Sequence, residues 1–315
     1  MDDTWQRKRK RAYLSSYFHQ GISYSLRRNT KRGFHLYRFV YSRRVVGNIR
    51  STRQVRATGG TFTPPKARRQ GNDMEKERIE EYKNRILPYY KEMANNPKVT
   101  QIDREKRLSF FCTQWGRNWH SGGILFVGRA TNGWGQGINI DNLPFNEQDQ
   151  MDWVITHGMN SSTAWRASRS PFWRVIKNVS QRFHATDWQT YIAWSNLCKC
   201  SFLESGNPSD SLFYATLEPC RQILKVDVEM LKPRAIVMLT EANLVDALTK
   251  RGWSGCFVDC LVDGVAPKDF SLSGCSVKVL DNEKYRIVVS ERPEYRPELP
   301  RIECIAAAIS ERSLK

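Results

Sequence analysis

The chain lacks any apolar run near the roughly 18 residues that a membrane-spanning helix needs. Its charged start is followed by no apolar segment of the kind that directs secretion. The eight cysteines are scattered along 315 residues, without the spacing of a small disulfide scaffold. Reduced thiols, a cytoplasmic location and no membrane partner are expected. Histidine is scarce: His19, His35, His120, His157 and His184 are the five, and the last third of the chain has none. No GxGxxG and no Walker lysine follow an apolar strand, which disfavours a nucleotide-binding enzyme built on a phosphate loop. No internal repeat is present.

Acidic residues are nearly missing from one region. Residues 1–70 hold 18 of the 50 Lys and Arg, but only Asp2 and Asp3 of the 32 acids. The net charge of +18 therefore belongs to that segment, and the rest of the chain is close to balanced. Residues 1–73 read as a disordered basic arm that would add non-specific DNA affinity by releasing counterions. The alternative is that they are not part of the native protein. Met74-Glu75-Lys76-Glu77-Arg78-Ile79 looks like a natural start, and regular structure is expected from there. Residues 74–315 form the folded body on either reading.

Within that body Ile79, Tyr82, Ile86, Tyr89 and Met93 recur at helical spacing, and Asn95-Asn96-Pro97 ends the run. Residues 98–122 carry Phe110, Phe111, Trp115 and Trp119 without a clear period. Strands are expected at 123–128, 190–195, 235–239, 275–280 and 285–289. Helices are expected at 171–183, 214–231, 241–251 and 300–312, with Pro171 suited to a first helical turn. Residues 135–170 read as loop and short helix. Strands alternating with helices predict a three-layer α/β/α domain with a short, mostly parallel central sheet. A monomer is expected.

Three strand ends look alike: Gly128-Arg129-Ala130-Thr131-Asn132-Gly133-Trp134-Gly135, Asn196-Leu197-Cys198-Lys199-Cys200, and Ser290-Glu291-Arg292-Pro293-Glu294-Tyr295. Each closes an apolar strand with polar residues plus Gly or Pro. In a parallel sheet all three converge on one edge, where ligands bind.

This ordered set, with EPCRQIL at 218–224 and LKPRAIVMLT at 231–240, resembles the uracil-DNA glycosylase superfamily over roughly residues 120–312, as a divergent member. The resemblance implies a monofunctional DNA N-glycosylase. Such an enzyme flips a pyrimidine (uracil or a modified cytosine or uracil) out of single- or double-stranded DNA. It then hydrolyses the N-glycosidic bond and leaves an abasic site, in repair or in defence against modified viral DNA. Asn196 matches the family asparagine that reads the base edge, since an amide offers both a donor and an acceptor. Gly128 lets the backbone approach the base, and Trp134 is the expected stacking wall.

Catalysis is expected to involve Asn132, which could orient water, and Arg292, which stands where the family has His and could stabilise the departing anion. Asp141 and Asp152 are weaker candidates for a carboxylate and read first as surface acids. Arg129 and Asn132 stand where some family members have an acid. Pro293 and Arg296 are expected against the DNA backbone, with Arg301 as a further phosphate contact. Some branches of the family hold an iron–sulfur cluster. Cys200 and Cys220 match two of its ligand positions, but the upstream Cys-x-x-Cys pair is absent, so neither cofactor nor metal is expected. The alternative to an enzyme is a catalytically weak or inactive DNA-binding module of the same fold.

Overall fold

The computed structural model describes residues 66–131, 137–141, 143, 145, 151, 167–184, 186–204, 207–240, 253–294 and 297–311. All lie in the second of two compact units, Thr63–Lys315. The expected helix at 241–251 and the basic segment before residue 66 lie outside the described residues.

Helix α1, Lys66–Asn95, begins eight residues before Met74, where regular structure was expected to start. Tyr82, Ile86, Tyr90 and Met93 form its buried stripe, while Ile79 and Tyr89 pack at the margin. Asn96 closes α1 and caps α2, Pro97–Lys106, by accepting from the backbone N–H groups of Lys98 and Val99. Short strands β1, Leu108–Phe110, and β2, Gln114–Trp115, follow.

The centre of the fold is four parallel strands: β3, Ile124–Gly128; β4, Ile192–Asn196; β6, Ala235–Leu239; and β9, Arg286–Ser290. Every residue of each is buried, the mark of parallel strands covered on both faces. With β7, Lys268–Leu272, and β8, Cys275–Asp281, the spatial order is β2-β4-β3-β6-β9-β8-β7. Strand β2 pairs antiparallel at one edge, and the hairpin of β7 with β8 at the other. The sheet is therefore seven-stranded and mixed, with a parallel centre. A separate pair joins β1 to β5, Cys200–Phe202.

Two cores flank the sheet. Helices α1, α4 (Asp210–Leu231) and α5 (Trp253–Leu261) cover one face, on Leu125, Val127, Ile236, Met238 and Ile287. Helices α3, Pro171–Gln181, and α6, Glu298–Ser310, cover the other, on Phe126, Trp194, Val237 and Val288. Helices flank the central sheet on both faces, compatible with the expected α/β/α layering, but the sheet is longer and more mixed than the short, mostly parallel one expected, because antiparallel strands extend both edges. Ser209 caps α4 by accepting from the Leu212 N–H, and Lys232 in the left-handed region ends it before Pro233.

Edge strand β2 depends on one close approach. Gly116 donates its N–H to the Ile192 carbonyl, and a Cβ there would strike the backbone of Gln189 and Thr190. Gly116→Ala is expected to lower stability by about 1–3 kcal/mol through overpacking. An unchanged urea midpoint would show that this edge gives way freely.

Candidate functional site at the strand ends

Parallel pairing of β3 with β4 sets Gly128 beside Asn196. Alternation along the strands turns both towards the α3 and α6 face, with Phe126 and Trp194 two residues back on that core. Asn196 is 1% exposed, and its Nδ2 has no hydrogen-bond partner among the described residues. Its Oδ1 lies 2.5 Å from where a Cβ on residue 128 would stand, and the Phe172 ring lies 3.2 Å from that same point. Glycine is needed at 128 because these two side chains close over it. A buried donor left unsatisfied costs about 1–3 kcal/mol.

Phe172 is a site residue that the sequence reading treated only as part of a helix start. Pro171 at the first helical position sets the entry of α3. The Phe172 ring stands edge-on to Trp173, at 5.4 Å between centroids, and tilted to Trp194 at 6.5 Å. The aromatic Pro171-Phe172-Trp173 cluster was the available signal. Its link to Asn196 is purely tertiary.

The first two loops are joined along their backbones. Leu197 N–H donates to the Gly128 carbonyl at 2.9 Å, and Cys198 N–H to the Arg129 carbonyl at 3.0 Å. Arg129 turns its side chain to the other face. Its guanidinium sits 3.7 Å from the Trp253 ring centroid, and Trp253 stacks on Phe213 at 4.4 Å. Arg129 is thus a packing group on the α4 and α5 side, away from Asn196.

Other expected residues fall in different places. Asn132, Trp134, Asp152 and Arg296 lie outside the described residues. Asp141 is exposed, and its neighbours Ile140 and Leu143 pack into the α1 core. Arg292 pairs in bidentate fashion with Glu294, Nη2 to Oε1 at 3.0 Å and Nε to Oε2 at 3.2 Å. Its positive charge is thereby matched within the loop. Pro293 is buried, so it shapes that loop rather than offering a contact surface. Arg301 is also buried: Nη1 donates to the Arg292 carbonyl at 2.8 Å, and Nη2 faces Glu291 at 3.6 Å. It braces the third loop, an arrangement at odds with a surface phosphate contact. Beside it, a cleft of about 590 Å³ runs between Ser290, Glu291, the first turn of α6 and the β7–β8 hairpin. Asn196 does not line this cleft.

The described histidines lie at the opposite sheet edge, where the rings of His120 and His184 flank Tyr191 just before β4. Burial, and then Arg234, hold His184 below its ordinary value. The buried thiols of Cys112, Cys198, Cys200 and Cys220 sit on the α1 and α4 side. Burial pushes Cys112 up to about 12 and raises the other three. Among the described residues no group of His, Cys, Asp and Glu is arranged to hold a metal ion. No described helix is long and apolar enough to cross a membrane.

No protein-family model matches the chain, and no curated protein matches it in sequence.

Gly128→Ala tests the closeness of this site. The methyl meets the far end of the Asn196 side chain, so the amide is expected to be displaced while the sheet persists. The chain should unfold cooperatively with a loss of under about 2 kcal/mol, and a crystal structure should show Asn196 turned out of its position. An Asn196 amide left in place would contradict the steric account.

Proposed function

We propose that the chain is a DNA N-glycosylase that draws a flipped pyrimidine into the space beside Gly128, Asn196 and Phe172. The observation that carries this reading is the unpartnered amide nitrogen of Asn196, buried at the end of a parallel strand and walled by an aromatic ring. A flipped base supplies what that arrangement lacks. Its ring stacks against an aromatic face, and its Watson–Crick edge pairs with an amide. A keto oxygen on the base would accept from Nδ2, and a ring N–H would donate to Oδ1.

As the C1′–N bond breaks, positive charge builds on the sugar and negative charge on the departing base; water adds to C1′ and the base leaves with a proton. In this reading the sequence assigns Asn132 to orienting the attacking water and Trp134 to stacking on the base. Arg292 stabilises the departing anion after release from Glu294, and Arg296 is assigned by the sequence to a phosphate contact. The protein acts as a monomer, on uracil or a modified pyrimidine, in repair or in defence against modified viral DNA.

The Arg292–Glu294 pair favours a second reading, a DNA-binding module with weak or no catalysis. A cation already matched by a carboxylate stabilises a developing anion less than a free one would.

The test incubates the full chain with oligonucleotides carrying uracil or modified cytosines, followed by alkali. Strand breaks are expected with at least one substrate, and Asn196→Ala should reduce them about 100-fold or more. Phe172→Ala should weaken substrate binding with a smaller effect on the chemical step. Binding without cleavage of any substrate would favour the second reading. Undiminished excision by the Asn196 variant would remove that residue from the site.

A further inference from the structure

The loop that carries Asn196 is anchored from below by a buried charge. Lys199 and Asp227 are both 0% exposed, and Nζ lies 2.7 Å from Asp227 Oδ2. The ammonium also donates to Ser195 Oγ at 2.6 Å and Thr113 Oγ1 at 2.9 Å, which uses all three of its protons. The Tyr82 hydroxyl donates to Asp227 Oδ1 at 2.7 Å, and Ser195 and Thr113 both reach Oδ2. Burial, and then Asp227, raise the Tyr82 phenol well above its ordinary value, so it remains a donor. The network ties α1 through Tyr82, α4 through Asp227, the segment between β1 and β2 through Thr113, and β4 through Ser195.

Lys199 is also fixed along its backbone. Its N–H donates to Cys220 Sγ at 3.3 Å, and its carbonyl accepts from Phe111 N–H at 2.9 Å. With Leu197 and Cys198 bonded to the first loop, the stretch 197–199 is held at each residue.

Such a pair is a poor source of stability. Withdrawing two charges from water costs about as much as their attraction returns, and apolar replacements of similar size are often neutral or better. Its best-attested use is to fix one arrangement among near alternatives. Ser195 and Asn196 are consecutive and point to opposite faces. A one-residue slip would turn Asn196 into the α1 and α4 core.

We propose that Lys199 and Asp227 are positioning residues, whose pair locks the register of loop 196–199 and so aims the Asn196 amide at the ligand. This rests on the reading of Asn196 as the group that meets the base. The pair touches no substrate and acts only through Asn196.

The double variant Lys199→Met with Asp227→Leu tests this, with Tyr82→Phe as a milder second variant that removes one donor to Asp227. Three quantities are compared with the native full chain: the urea midpoint, amide hydrogen exchange at Leu197 and Cys198, and kcat and KM on any oligonucleotide that the native chain cuts. The double variant is expected to keep cooperative unfolding, yet exchange faster at residues 197 and 198. Its kcat should fall about 100-fold, as expected for a misplaced reacting geometry, with KM changing far less. Tyr82→Phe should move exchange in the same direction by less, and it decides the matter if the double variant does not fold. Native exchange at 197 and 198 in the folded variants would overturn the proposal, as would full kcat alongside a changed midpoint. If the native chain cuts nothing, the glycosylase reading fails separately, and the exchange rates still decide whether the pair holds the loop.

Discussion

The site depends on the register of two parallel strands. Because β3 pairs with β4 so that Gly128 stands beside Asn196, the one residue without a side chain lies where an amide and a phenyl ring close in. A shift of one residue would exchange Gly128 for Val127 or Arg129 and bring a bulky side chain against Asn196. The surrounding structure serves this register. Backbone bonds from residues 197 and 198 extend the pairing past the strand ends, and α3 covers the α3-facing side with aromatic side chains.

The parallel centre of the sheet was legible in the sequence. Its strands are short apolar runs buried on both faces, and their beginnings and ends agree with expectation to within one or two residues. Elements with weaker signals escaped notice. Strands β1 and β5 have three residues each, too few for a period to appear. Strand β7 lies at an exposed edge and buries little, so composition does not mark it. Helix α2 buries only Val99, and α5 includes Gly255 and two cysteines within nine residues. In each case pairing or packing supplied by distant chain segments overrides a weak local preference.

The site was legible in part, for the same reason. Asn196 stood out only through the resemblance of the ordered motifs, since a strand-end asparagine by itself reads first as a turn cap. Arg129 was read as a loop residue standing where some glycosylases have an acid, and its turn onto the Trp253 ring came only with the structure. Phe172 could not be connected to them by spacing, because α3 reaches the strand ends only through packing. The Lys199–Asp227 pair was equally hidden. Nothing local to residue 199 shows that its ammonium meets a carboxylate 28 positions later, in the middle of a helix.

Ser195 and Asn196 show how one strand end divides its polar groups. The Ser195 hydroxyl bonds to Lys199 and Asp227, while the Asn196 amide nitrogen has no partner among the described residues. Both are equally withdrawn from water, so the difference does not come from exposure. Folding alone would favour satisfying both groups or replacing both with apolar ones. The proposed reading takes the open donor of Asn196 as the one that meets a ligand, while the Ser195 face of the same strand is fully bonded. The satisfied side gives that open donor a fixed direction, because the network holding Ser195 also holds the peptide next to Asn196.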